Sequence, residues 1–373
     1  MSSLFEPLTL KGATLRNRIV ASPMCMYSAT DGVLGPWHHA HLAQLAVGGA
    51  GLVVVEMTAV LPEGRLTWGD SGLWNDEQME ALRPAVAAIR NAGAVPGIQL
   101  GHAGRKASAN RPWEGDDQLP DDTPNGWPII APSPLAFGTD KLWKTPREMS
   151  LFDIARVQRD FAEAARRARE AGFEYLELHF GHGMLAQSFF SSHSNQRLDG
   201  YGESLDGRGR FLLETIAGVR EVWPDDRPLS VRFGVIEFDG RDEETLAESI
   251  ALVRSFGTAG VDLISVSLGF STPEANIPWA PAFTAPLAER VRRETGLPVA
   301  VAWGMGTPHL ADEAVRNGQA DLVNIGRALL ANPHWPYSAA VALGVPRPSW
   351  VTLPPQYAFW LERYHPEDAV APG

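Results

Sequence analysis

The chain has a single cysteine, Cys25, among 373 residues. A lone thiol excludes an internal disulfide, and it excludes an iron–sulfur cluster or structural zinc held by several cysteines of one chain. It also fits a reducing compartment. Positive charge is in deficit, with 32 Lys and Arg against 44 Asp and Glu and a formal net charge of -12. That balance argues against nucleic acid or an anionic membrane surface as partner. Long apolar runs are missing as well. The longest, "GLVVVEMTAV", is broken by Glu56 and is too short to span a bilayer. The N-terminal stretch has no basic segment leading into an apolar core, so no secretory signal is expected. No G-x-G-x-x-G follows the first strand-like segment, and no H-E-x-x-H or low-complexity tract occurs. These absences point to a soluble, cytoplasmic protein.

What is present is a repeated unit. In "GGAGLVVVEM", "NAGAVPGIQL", "EAGFEYLELHF", "TAGVDLISVS", "ETGLPVAVAW" and "NGQADLVNIG", a glycine closes a helix-like stretch and a β-branched apolar run follows. Glycine is favoured just past a helix end because it takes positive φ without a Cβ clash. Short runs of this kind read as strands buried on both faces. "RIVASPM" and "PLSVRFG" bring the strands to eight. Between them, "SLFDIARVQRDFAEAARRAREAG" places Leu151, Ile154, Val157, Phe161 and Ala165 at helical spacing. Ser150 and Asp153 form a capping-box start, and Gly172 forms a stop. Eight β/α units predict an α/β fold, a (β/α)8 TIM barrel, rather than a doubly wound sheet. The loops after strands 3 and 4, about 101–150 and 181–205, are extended, and in a barrel they would lie on the face that carries active sites. We expect residues 1–373 to form one domain, with a Pro- and Trp-rich tail, about 345–373, near the active site or a subunit interface.

Alternation along "FEYLELHF" sends Leu176, Leu178 and Phe180 to the helix-covered outside and Tyr175, Glu177 and His179 inward. His182 follows one turn later in "HFGHGML". Such a pair has three readings. It could bind a metal, with "WHHAH" or His102 as further ligands. It could simply pack. Or its N–H groups could hold a carbonyl oxygen as negative charge develops there. The third requires a hydride source, which no side chain supplies and a redox cofactor does. "AWGMGTPHL" and "NIGRALL" set Gly304, Gly306, Gly326 and Arg327 where strands seven and eight open into helices, a place suited to a phosphate. Arg232, on an inner strand face, calls for an anionic ligand or for Glu177 as partner.

Taken together, "SPMCMY", "QLGHAGRK", "HFGHGML…SFFSSHSNQR…DGYGES" and "NIGRALL" resemble the Old Yellow Enzyme family. More closely they resemble its thermophilic-like branch, which includes the xenobiotic reductases, and the likeness runs from "LFEPLTL" to "FWLERY". The resemblance implies an FMN-dependent oxidoreductase that takes hydride from NAD(P)H and delivers it to activated alkenes such as enones. It implies that Ser22, Pro23, Met24 and Cys25 line the flavin and that Ala59 and Gln99 touch it. Arg232 would balance its ring charge, and Gly304, Gly326 and Arg327 would serve its phosphate. Catalytic and pocket roles fall on His179, His182, Cys25, Tyr27, Trp303 and Trp360, the last reaching the site from a neighbouring subunit of a homo-oligomer (dimer or tetramer). The bland reading of Cys25 is a small buried thiol, and that of both tryptophans is core packing. No metal is expected. One position departs from the family pattern. Met184 stands where a tyrosine usually supplies a proton, and a thioether has none to give. Quinone or nitro-compound reduction is therefore an alternative function, and a non-catalytic flavin-binding barrel or a metal-dependent hydrolase are rivals of other classes.

Overall fold

The computed structural model describes residues 2–139 and 142–364. Eight parallel strands close into a barrel: β1 (Ile19–Ala21), β2 (Leu52–Ala59), β3 (Val95–Gly101), β4 (Tyr175–Phe180), β5 (Leu229–Ile236), β6 (Leu263–Leu268), β7 (Val299–Val301) and β8 (Leu322–Ile325). Each pairs with its neighbours in sequence, and β8 returns to β1 through Val323–Ile19 and Ile325–Ala21. Six of the eight strands coincide with the runs marked by the glycine-then-apolar pattern, and the other two with "RIVASPM" and "PLSVRFG". An antiparallel hairpin, Leu8–Leu10 with Ala13–Leu15, precedes them.

The helix Leu151–Ala171 shows how the outer layer is specified. Ser150 Oγ accepts from the Asp153 N–H at 3.1 Å, and Asp153 accepts from the Ser150 N–H at 2.9 Å. Arg147 adds a two-pronged ion pair to the same carboxylate, at 2.8 and 3.0 Å. Gly172, at φ 100°, ends the helix in the left-handed region. Its buried face is Ile154, Val157, Phe161, Ala164, Ala165 and Ala168. Leu151 is a correction to the expected stripe. It is 60% exposed, because the first turn stands ahead of the stretch that packs on the barrel.

Inward-facing residues change character along the barrel axis. Near the start of the strands, Val20, Leu52, Val54, Val95, Tyr175, Leu263, Ala300 and Leu322 form one apolar cluster with Leu10, Ala13 and Leu15 of the hairpin, which plugs that end. Two residues further along, the period-2 alternation brings Glu56, Gln99, Glu177, Ser230, Ser265 and Asn324 inward, all buried. All but Glu56 satisfy one another: Gln99 Nε2 donates to Glu177 Oε1 at 2.7 Å, Ser230 Oγ to Glu177 Oε2 at 3.2 Å, and Asn324 Nδ2 to Ser265 Oγ at 3.2 Å. At the strand ends the inward residues are His179, Arg232 and Ser267. The barrel is thus a dry plug below and a polar mouth above.

The loop after β3, residues 102–150, carries among its described residues only short elements, including the two-residue pair Ile130–Ala131 with Arg147–Glu148. The loop after β4 contains the helical turns Leu185–Phe190. Past β8 the chain leaves the barrel through Trp335–Ala342, Pro348–Thr352 and Pro355–Leu361.

Phe180, on the outer face of β4 opposite His179, is fully buried between the rings of Phe161 and Phe256, each 6.4 Å away. Phe180→Ala should cost about 3–5 kcal/mol through lost burial and the cavity left behind. The check is the drop in unfolding midpoint in urea, and an unchanged midpoint would mean that β4 is not held by this outer packing.

Candidate functional site

The mouth of the barrel is built where the strands hand over to loops, and four residues there sit in the left-handed region that non-glycine residues rarely adopt: Tyr27 (φ 52°), Phe270 (50°), His182 (59°) and Trp303 (65°). Each such conformation costs on the order of 1–3 kcal/mol and persists only when the surroundings enforce it. His182, Phe270 and Trp303 each stand two residues past a strand end, and His182 and Trp303 line the cavity described below. The rings of His179 and His182 lie 4.7 Å apart and nearly perpendicular, at 84°. Phe270 and Trp303 stand 5.7 and 5.9 Å from the His182 ring.

A cavity of about 350 Å³ opens here, lined by Ser22, Pro23, Met24, His182, Arg232 and Trp303, with Gly304, Gly306, Gly326 and Arg327 at its far end. Residues from β1, β4, β5, β7 and β8 therefore meet as the sequence pattern anticipates. Arg232 is 6% exposed, and its Nε has no hydrogen-bond partner among the described residues. Its one side-chain hydrogen bond is a long one, from Nη1 to Ser22 Oγ at 3.4 Å. Glu177, the expected protein partner, is spent on Gln99 and Ser230 and supports the cation only through space. A buried guanidinium with open donors beside a cavity is a site for an acceptor-rich or anionic group.

Burial lowers the pKa of both histidines far below the usual value. For His179 the nearby Arg232 and Lys106 cations add to it, and for His182 so do His179, Arg232 and Lys106. Both rings are neutral at ordinary pH, each with one N–H to offer. His179 Nδ1 is buried and unpartnered. As a metal site the pair finds no third ligand, since no group of three His, Cys, Asp or Glu side chains converges among the described residues. His102 is used locally, its Nδ1 accepting from the Gly104 N–H at 3.0 Å.

Cys25 is half-buried, and burial, followed by the nearby Asp70 and Glu56, pushes its thiol well up, so the thiol is neutral. Burial likewise raises the Tyr27 phenol, whose ring meets Trp113 edge-on at 5.8 Å. The segment carrying both is anchored by Glu56, whose Oε1 accepts from the Met26 N–H at 3.1 Å. Ala59 is buried at the end of β2 and Gln99 in the polar middle layer. Met184 is buried, caps the Leu185–Phe190 turns, and brings only a thioether. Gly304, at φ 70°, packs so closely that a Cβ would stand 2.7 Å from the Ala282 nitrogen. Arg327 is exposed with no partner among the described residues, at the start of the Arg327–Ala331 turns. Trp360 is not brought to this cavity by its own chain. It is 71% exposed on Pro355–Leu361, in a surface pocket with His334 and Tyr357. Residues 365–373 of the expected tail lie outside the described residues.

Three residues at the site escape the sequence reading. Lys106 Nζ donates to the carbonyls of His182 (2.8 Å) and Phe270 (2.9 Å), stitching the loops after β4 and β6, and burial, with Arg105 beside it, lowers its pKa to about 7. Phe270 walls His182. Ser267, wholly buried on β6, touches both His182 and Trp303. Two serines at alternate positions in the apolar run "LISVSLG" were the available signal for Ser267.

A family model for the NADH:flavin oxidoreductase / NADH oxidase family matches residues 3–344. The NADPH dehydrogenase of Geobacillus thermodenitrificans is 42% identical over 344 residues, covering 92% of this chain and 95% of that protein. That of Bacillus subtilis is 40% identical over 348 residues, covering 93% and 96%. Among solved structures, morphinone reductase in complex with tetrahydroNAD superposes with a TM-score of 0.76 at 27% identity, covering 92% of this chain and 91% of that one. The old yellow enzyme homologue of Zymomonas mobilis gives 0.76 at 25% identity, covering 95% and 98%. 2-Naphthoyl-CoA reductase gives 0.81 at 25% identity over 94% of this chain, which spans 53% of that longer one. With the barrel, its polar mouth and these likenesses together, the chain belongs to the NADH:flavin oxidoreductase / NADH oxidase family, the Old Yellow Enzyme family, and is an NAD(P)H-dependent flavin oxidoreductase.

Proposed function

We propose that this enzyme reduces activated alkenes, enones above all, at the barrel mouth, with FMN held by Ser22, Pro23, Met24, Cys25, Ala59, Gln99, Arg232, Gly304, Gly326 and Arg327. The observation that carries the reading is the pair of neutral, neighbouring histidines beside an unsatisfied buried Arg232. When bound, FMN supplies the hydride that NAD(P)H provides. Arg232 offers its open donors and charge to the electron-rich part of that group. Arg327 and the backbone at Gly304 and Gly326 suit its phosphate, because glycine lets the backbone come close; a Cβ on Gly326 would already stand 3.3 Å from Met24 Sδ.

His179 and His182 donate to the substrate carbonyl oxygen and stabilise the charge it gains as the β-carbon accepts hydride. Neutrality matters here: the bare oxygen gains charge, and a neutral donor stabilises it without handing over a full proton early. Tyr27 and Trp303 bound the space around the substrate, and Cys25 sets the polarity beside the flavin as an uncharged thiol. Trp360, exposed on its own subunit, would contribute to the pocket of a neighbouring copy in a homo-oligomer. On this reading residues 1–373 act as one FMN-binding unit located in the cytoplasm.

Saturating the alkene also needs a proton on the α-carbon, and Met184 favours a second reading in which that step is weak. A positioned general acid contributes roughly 10²–10⁴-fold. Without one, enone reduction relies on solvent for the proton, while quinones and nitro compounds, which need no carbon protonation, are reduced with less handicap.

Two experiments test this. His179→Ala or His182→Ala should cost roughly 2–4 kcal/mol in kcat/KM for a carbonyl substrate, as loss of an oxyanion donor does elsewhere, while flavin stays bound. Retained kcat/KM would remove the histidines from substrate binding. Met184→Tyr should raise the rate of the oxidative half-reaction with cyclohexenone, read by stopped flow with solvent-isotope effects, and leave quinone reduction nearly unchanged. Equal rates in both proteins, with no solvent-isotope effect in either, would show that the thioether withholds nothing.

A further inference from the structure

We infer that Ser267 is a positioning residue that fixes the tautomer of His182, so that the ring turns its Nδ1–H, and not Nε2–H, to the substrate oxygen. The inference rests on the reading above that His182 binds that oxygen. Its ground is the hydrogen-bond inventory of one hydroxyl. Ser267 Oγ lies 2.7 Å from His182 Nε2 and 3.2 Å from Trp303 Nε1, and it has no other side-chain partner among the described residues. An indole nitrogen only donates, so Trp303 N–H takes one of the serine's two lone pairs. The serine's own proton is then left with one acceptor in reach, the His182 Nε2 lone pair. Ser267 is wholly buried, and an unspent hydroxyl proton there would carry the penalty of an unmade hydrogen bond. The relay Trp303 N–H to Ser267 O–H to His182 Nε2 satisfies every member, whereas a proton on Nε2 would leave the hydroxyl proton with nothing to bind.

A neutral imidazole carries one N–H, so a bare Nε2 puts that proton on Nδ1. His182 Nδ1 has no hydrogen-bond partner among the described residues, and His182 lines the cavity. The remaining constraints keep the ring from turning. The His182 backbone is held in the left-handed region, its carbonyl is bound by Lys106, and its ring is flanked by Phe270 and Trp303. Ser267 thus does for His182 what a second partner does for any histidine with one working nitrogen: it decides which nitrogen carries the proton. The same hydroxyl ties Trp303 to the histidine, so the pocket wall and the oxygen donor move as one unit.

The test uses the FMN-bound enzyme with 15N-labelled histidine rings and no substrate, which separates tautomer from substrate binding. The chain has ten histidines, and the spectrum of His182→Ala identifies the His182 pair by its disappearance. The wild type should show a protonated Nδ1 and a bare Nε2 for His182. Ser267→Ala should move the ring towards the other tautomer and raise the Kd for phenol, whose oxygen stands in for the substrate's, by roughly tenfold, the size of one lost net hydrogen bond. Ser267→Thr, which keeps the hydroxyl, should restore both. A wild-type His182 with its proton on Nε2 overturns the inference, and so does a Ser267→Ala enzyme with wild-type tautomer and wild-type phenol affinity. The wild-type spectrum decides even if Ser267→Ala does not fold. Unchanged phenol binding in His182→Ala would instead remove the underlying reading that His182 holds the substrate oxygen, whatever its tautomer.

Discussion

The interaction on which the architecture turns is one the protein leaves incomplete: the charge of Arg232. A guanidinium taken from water into a barrel loses several kcal/mol of solvation unless partners replace it. Here the nearest carboxylate, Glu177, is committed to Gln99 and Ser230, and the closest side-chain contact is a long one to Ser22. The polar middle layer supports the cation by through-space charge without neutralising it by contact. The apolar plug below keeps water from reaching it from beneath. The cost of the unmet donors falls due in the empty barrel and is offset when an electron-rich group lies against them. On the proposed reading, stability and cofactor affinity are exchanged at one residue.

The histidines inherit their properties from the same cation. Arg232 and Lys106 stand close enough to oppose a further positive charge, and burial works in the same direction, so the two rings remain neutral donors. Neutral donors beside a fixed cation suit a reaction in which an oxygen becomes negative and then loses that charge again. The strained backbone at Tyr27, His182, Phe270 and Trp303 belongs to the same device. Left-handed backbone also occurs elsewhere in the chain, but at His182 and Trp303 it falls on rings that line the cavity.

Much of this was legible in the residues. Eight apolar runs, six of them preceded by a helix-closing glycine, specified the barrel, because buried parallel strands have few other sequences open to them. Period-2 alternation was enough to send His179 inward and Phe180 outward. The Ser150–Asp153 cap was visible as a local pattern. Leu151 was misread because periodicity does not say where along a helix the packing begins. Ser267 and Lys106 went unread for a different reason. Their partners lie 85 and 76 residues away in sequence, and a serine in an apolar strand or a lysine in a long loop declares its role only when the barrel closes. Trp360 marks another boundary: its own chain leaves it at the surface, and nothing local to it reveals what it faces.

The central claim is that the buried charge of Arg232 is destabilising alone and stabilising once FMN is present, and its most direct test is a sign inversion. Replacing Arg232 with Met keeps much of the bulk and removes the charge. Thermal unfolding midpoints of wild type and Arg232→Met are compared after FMN is stripped and again after it is restored at equal concentration. The account predicts that without FMN the Met variant unfolds at or above the wild-type temperature, and that with FMN the wild type unfolds higher. A Met variant that is less stable than wild type by the same margin in both states would contradict it, because Arg232 would then be an ordinary structural residue of the barrel.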